Sequence, residues 1–146
     1  MILIVDDHLE IGIAMCRLLS RAGYPASHLS SAKDALQFIS SFDLDNPLLI
    51  VLDDMMPAMS GLELLQILRA SPHFRRVPVV MFSAGYDGQR RDTAESLGIL
   101  DWVVKGRDAN ATINTFIKYY ENAGGTKEIP PAGSGTDSAN LYFRPM

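Results

Sequence analysis

The sequence predicts an α/β fold, a doubly wound parallel sheet of five strands with helices on both faces. Three observations predict it. Its apolar runs are continuous rather than alternating, which suits strands covered on both sides. The stretches between them place apolar residues at i, i+3 and i+4, the rhythm of an amphipathic helix. Strand and helix patterns then alternate five times, and such alternation calls for a parallel sheet with right-handed crossovers.

Each element has its own signal. Ile2-Leu3-Ile4-Val5 is the first strand run and stops at Asp6-Asp7. Ile11, Ala14, Met15, Leu18 and Leu19 mark a helix, with Gly23 placed to stop it. Pro25–Leu29 is a weaker strand candidate. Ala32, Ala35, Leu36 and Ile39 follow as a helix with Ser30 or Ser31 as its N-cap. Leu48–Leu52 stops at Asp53-Asp54, and Leu62, Leu64, Leu65 and Leu68 form a helix opened by Ser60 and halted before Pro72. Val77–Phe82 runs to Ser83-Ala84-Gly85, and Gln89–Leu97 is a helix ended by Gly98. Leu100–Val104 is a second weaker strand, and Ala109–Glu121 is the closing helix.

The composition shifts after Asn122, where Gly-Gly, Pro-Pro and Gly-Ser-Gly interrupt any period. Residues 1–122 are therefore expected to form one domain, and 123–146 a flexible C-terminal tail or linker. The hydrophobic end of that tail, Leu141-Tyr142-Phe143, is suited to docking on a neighbouring surface. Asn140-Leu141-Tyr142-Phe143 also resembles part of a protease-cleavage tag, so an expression remnant is a second reading of it.

Composition excludes several classes. At 146 residues with 47% hydrophobic residues, the chain has material for one packed α/β domain and too little length for two. A net charge of -4 argues against a dedicated nucleic-acid-binding face. One cysteine, Cys16, excludes an internal disulfide framework and a multi-thiolate zinc site; it is expected to pack inside the first helix. The apolar runs are of strand length, far below the roughly 20 residues of a membrane span. No basic export signal precedes the first strand, so a soluble cytoplasmic protein is expected.

The chemistry lies at the strand ends. In an open α/β sheet, ligands bind beyond the carboxyl ends of the strands where the order reverses. Asp6, Asp7 and Asp53 end the first and third strands, neighbours in the usual five-unit topology, so their carboxylates should converge. Three anions so close repel one another, and burying them unpaired is costly. A hard divalent cation relieves this, and Mg²⁺ suits best because it takes a few carboxylates and keeps positions for water or phosphate. A single such aspartate is more often a solvated N-cap; two pairs at neighbouring strand ends favour a metal-binding pocket. Ser83 adds a hydroxyl and Lys105 an ammonium at the next strand ends. Carboxylate, metal, hydroxyl and ammonium together suit phosphoryl transfer, where positioning and charge neutralisation dominate.

At this point the sequence resembles the receiver domain of two-component response regulators. The resemblance rests on Ile4-Val5-Asp6-Asp7, on Leu52-Asp53-Asp54-Met55-Met56-Pro57-Ala58-Met59-Ser60-Gly61, on Phe82-Ser83-Ala84 and on Val104-Lys105, and spans residues 1 to about 122. It implies a flavodoxin-like (βα)5 fold with strand order 2-1-3-4-5. It implies Asp53 as phospho-acceptor, and Asp6, Asp7, Asp53 and the Met55 backbone carbonyl as ligands of Mg²⁺, for which Mn²⁺ can substitute. Ser83 is implied as the hydroxyl that moves toward the phosphoryl group, and Lys105 as its cationic contact. Trp102 stands where the family usually has the Tyr or Phe that follows the Ser/Thr in switching. A sensor histidine kinase or phosphotransfer protein and a downstream output protein or fused domain are the implied partners. Neither nucleic acid nor membrane is among them, and homodimerisation stays open. Catalysis would extend only to the chain's own phosphorylation and dephosphorylation.

Two positions depart from the family pattern. Gly106 replaces the proline that usually follows the lysine, so the loop is expected to use glycine's φ freedom. Trp102 is bulkier than the usual aromatic and suits packing or partner contact. Both keep a second function open, a pseudo-receiver that binds partners without phosphorylation. A third, a dehalogenase-like phosphohydrolase, is disfavoured because Met55 stands where its second aspartate would be. Asp54 competes with Asp53 as acceptor, and the spacing to Pro57 favours Asp53. His8 is expected at a solvent-facing helix start, His28 and His73 without ligand partners, and Arg75-Arg76 and Arg90-Arg91 on solvated faces.

Overall fold

The computed structural model describes residues 1–128 and the strand at 143–145. In chain order the elements are β1 (Ile2–Val5), α1 (Leu9–Arg21), β2 (Ala26–Leu29), α2 (Ala32–Ser41), β3 (Leu49–Leu52), α3 (Gly61–Ala70), β4 (Val79–Ser83), α4 (Gly88–Ser96), β5 (Asp101–Val104), α5 (Ala109–Asn122) and β6 (Phe143–Pro145). All five expected strands and helices are present. The fourth strand starts two residues later than the apolar run suggests; Pro78 has no N–H to donate to a ladder, although its carbonyl accepts from Ile50 N at 3.0 Å.

Strands β1–β5 pair in parallel in the order 2-1-3-4-5, as expected. The sheet carries one strand more than expected: β6 pairs in parallel with β2, Ala26 opposite Phe143 and His28 opposite Pro145. Most of the segment expected as a tail, 129–142 with 146, lies outside the described residues, as does most of the tag-like string.

Alternation along each buried strand divides the core between the two faces. Leu3, Val5, Ile50, Leu52, Val79, Met81 and Trp102 pack with α2, α3 and α4. Ile2, Ile4, Leu49, Val51, Val80 and Phe82 pack with Cys16 and Leu19 of α1 and Ile113, Phe116 and Tyr120 of α5. Cys16 is fully buried, and burial pushes its thiol up to about 12, so it is a packing residue as expected. Helix starts follow the anticipated caps: Ser31 Oγ accepts from Asp34 N at 3.1 Å and Ser60 Oγ from Glu63 N at 3.1 Å. Among the described residues, no helix is long and apolar enough to cross a membrane.

Candidate functional site

The carboxyl ends of β1 and β3 hold the site. Asp6 N donates to Leu29 O at 3.0 Å and Asp53 N donates to Val5 O at 2.8 Å, so ladder hydrogen bonds carry past the strand ends and fix both aspartates side by side. Both are buried. Asp7 is partly open to solvent, and His8 is exposed at the first position before α1. One ligand atom from each of Asp6, Asp7, His8 and Asp53 lies within 4.8 Å of the others.

The cluster is incompletely paired. Asp6 Oδ1 accepts from His8 N at 2.8 Å, and Asp6 Oδ2 lies 2.6 Å from Lys105 Nζ. Lys105 Nζ lies 3.2 Å from Asp53 Oδ1. Asp53 Oδ2 is buried with no hydrogen-bond partner, and so is Asp7 Oδ1. One ammonium therefore pairs with two carboxylates, Asp6 and Asp53, of a cluster that holds three. Burial, and next the charge of Asp6, push the Asp53 carboxyl up to about 6, against the opposing pull of Lys105. Lys105 alone does not hold the Asp53 carboxyl low, because desolvation and a neighbouring anion outweigh one cation. Orphaned oxygens from two carboxylates, beside a third, are the donor set a hard divalent cation takes, so the residues present fit Mg²⁺.

Ser83 ends β4 and is buried, and Lys105 follows β5 with its side chain also buried. Lys105 N donates to Ser83 O at 2.7 Å, tying these two residues together at the same rim. Gly106 has φ +88 and its peptide bonds are trans, so the loop after Lys105 uses glycine's freedom as expected. The loop after Asp53 is also specialised. An ideal Cβ on Gly61 would lie 2.0 Å from Asp53 O, so only glycine lets α3 start this close to the acceptor strand. Ala58 sits at φ +65 and the Met55 side chain is exposed on the same loop. Trp102 is buried in the core cluster that contains Ala94 of α4, consistent with packing, and its indole N–H has no partner.

Three polar residues have partners that the sequence reading did not name. His8 does face solvent, yet its Nδ1 lies 3.2 Å from Asp6 Oδ1 and 3.4 Å from Asp7 Oδ1. His28 is buried, and its Nε2 donates to the Asp6 carbonyl at 2.7 Å, buttressing Asp6 from behind. Gly12 makes room for it, because a Cβ there would lie 2.2 Å from the ring. Arg90 is not on a solvated face: its Nε lies 2.5 Å from Asp54 Oδ2 and its Nη2 2.8 Å from Asp54 Oδ1. Asp54, on the opposite side of the chain from the acidic cluster, is buried and also accepts from Leu62 N at 3.2 Å.

Comparison with known proteins adds a family. The model of the response regulator receiver domain matches residues 2–116. A probable transcriptional regulator, ycf27, of Porphyridium aerugineum is 32% identical over 90% of this chain and 54% of its own length. The CAI-1 autoinducer sensor kinase/phosphatase CqsS of Vibrio cholerae is 26% identical over 77% of this chain and 16% of its own length. The chain thus spans about half of the first relative and a small part of the second. In fold, it is similar to a CheY-like receiver domain from Methanospirillum hungatei, with TM-score 0.73 and 20% identity over 84% of this chain and 94% of that one.

Proposed function

The chain belongs to the response regulator receiver domain family, and on that premise we propose that Asp53 is its phospho-acceptor. Receiver domains are signalling modules that bind Mg²⁺ at an acidic pocket and work with histidine kinases and output domains. The observation that carries the reading is the free Asp53 Oδ2 beside Asp6, Asp7 and Lys105. A carboxylate oxygen with no hydrogen bond to break is available as a nucleophile.

In the proposed reaction the Asp53 oxygen attacks the phosphorus of a phosphodonor. The new O–P bond forms as the bond to the donor's nitrogen or oxygen breaks, and the leaving group departs with the bonding pair. Lys105 Nζ, already 3.2 Å from Asp53 Oδ1, neutralises charge on the transferred group. Ser83 supplies a hydroxyl to a phosphoryl oxygen. Asp6, Asp7, Asp53 and the Met55 carbonyl would hold Mg²⁺, or Mn²⁺ in its place. When bound, the cation offsets the negative charge gathered in the pocket. Hydrolysis of the acyl phosphate by water restores the carboxylate, and the chain catalyses nothing beyond this cycle.

The added charge beside Ser83 and Lys105 is proposed to alter affinity for an output partner or fused domain. Trp102 belongs to that path as the core residue beneath α4. The proposed setting is cytoplasmic, with a histidine kinase or phosphotransfer protein as donor.

Incubation with phosphoramidate and Mg²⁺, followed by intact mass, tests the assignment. One phosphoryl adduct is expected in the natural sequence and none in Asp53→Asn. Persistence of the adduct in Asp53→Asn would move the acceptor elsewhere.

A further inference from the structure

His28 of β2 is a buried imidazole with no part in the proposed reaction, yet it is bonded to the first residue of the acidic cluster. Its Nε2 lies 2.7 Å from the Asp6 carbonyl oxygen. A carbonyl only accepts, so that nitrogen carries the proton and donates. The contact continues the β1–β2 ladder by other means. Val5 stands opposite Leu29 in the register, and Asp6 N donates to Leu29 O at 3.0 Å. Strand β2 therefore holds the peptide group on each side of Asp6, one through its backbone and the other through a side chain. The second of these groups joins Asp6 to Asp7, so fixing it orients both residues.

Room for the ring is made on α1. An ideal Cβ on Gly12 would lie 2.2 Å from His28 Cδ2 and 2.3 Å from Nε2. Gly12 sits inside the helix and has no positive φ, so backbone geometry does not call for glycine there, and alanine would suit the helix better. The space it leaves is what the ring uses. The base of that ring is held on both sides, because Ile4 of β1 and Pro145 of β6 stand opposite His28 in the sheet.

Without a cation, three carboxylates are gathered at this rim, and Asp53 Oδ2 and Asp7 Oδ1 have no hydrogen-bond partner. Their repulsion favours turning the carboxylates apart. Mg²⁺ demands near-ideal octahedral geometry, so it binds best where the ligands are already in place. Resting on the reading of this pocket as a Mg²⁺ site, we propose that His28 is a positioning residue for that cation. Through the Asp6 carbonyl it holds the Asp6–Asp7 peptide against the repulsion, and Gly12 is the companion that admits its ring. His28 is not among the side chains whose ligand atoms gather at the pocket, so it acts through the backbone and not as a ligand.

Calorimetric titration of the whole chain with MgCl₂, paired with urea unfolding in metal-free buffer, tests this. His28→Met fills the space without a donor and should weaken Mg²⁺ binding by about tenfold or more. Gly12→Ala, which drives a methyl group into the ring, should weaken it as well. His28→Gln matches methionine in length and keeps an N–H, so it should recover most of the affinity. A purely structural role would lower the urea midpoint of these variants and leave their Mg²⁺ affinity at the natural value. Natural affinity in folded His28→Met, or in Gly12→Ala if His28→Met does not fold, overturns the positioning role alone. So does a His28→Gln as weak as His28→Met, because the donor is then not what holds the site. Should neither of the first two fold, His28→Gln carries the test, and a loss of about tenfold with the donor kept overturns the role. Absence of Mg²⁺ binding by the natural sequence overturns the cation site and the role of His28 with it.

Discussion

Asp53 and Asp54 are adjacent, of one residue type and equally buried at 2% exposure, yet they meet opposite environments. Asp53 faces Asp6 and Asp7 with one oxygen unpartnered, and its carboxyl is pushed up to about 6. Asp54 points to the α3–α4 side, where an arginine fork and the Leu62 amide occupy its carboxylate. Successive side chains along a strand emerge on opposite faces, so one residue of offset separates a reactive carboxylate from a structural one. Burial alone does not identify a functional carboxylate. The number of its oxygens left without a partner does.

The largest test of that contrast removes the satisfied partner. Arg90→Ala strands a buried charge at Asp54 and should cost about 3 kcal/mol of unfolding free energy, read as a lowered urea midpoint at unchanged slope. The opposite sign is expected across the chain. In metal-free buffer at pH 8, Asp53→Asn relieves repulsion and should stabilise the fold by about 1–3 kcal/mol, also measured in urea. If both variants destabilise alike, the two aspartates do not differ as described.

A pH series sharpens the same point. The Asp53 pKa is raised from the ordinary range near 4 to about 6 in the fold, so the folded state favours the protonated form. Its contribution is fully present below about pH 4 and is lost as pH rises through about 6. The metal-free protein should therefore lose up to about 3 kcal/mol across that window, and Asp53→Asn should lack this component. Saturating Mg²⁺ should remove most of the loss at pH 8, because a cation that binds the folded state offsets the repulsion. The smallest effect is expected at the neighbouring arginine. Arg91 makes an exposed pair with Glu95 at 2.8 Å, and Arg91→Ala should leave the urea midpoint unmoved. A drop comparable to that of Arg90→Ala would erase the distinction between them.

Much of this was legible in the residues themselves. Continuous aliphatic runs such as Leu48–Leu52 suited doubly covered strands, and Ser60 and the Ser30-Ser31 pair marked helix starts by cap chemistry. The convergence of Asp6, Asp7 and Asp53 followed from strand ends at a known rim, and Gly106 from its place after Lys105. These are local signals, each contained within a few residues of chain.

What the residues alone left open is polar and long-range. Nothing near Arg90 in the chain distinguishes it from Arg91; its carboxylate partner is 36 positions away. His28 has no metal-ligand partners in its spacing, and what it does bind, a backbone carbonyl 22 positions back, carries no sequence signal because any residue can supply one. The sixth strand required a free edge on β2, which exists only once the sheet has formed. Periodicity and capping are written in short stretches because they arise from backbone geometry. Which buried charge is paired and which left bare depends on what distant segments bring to it, and only the assembled fold decides that.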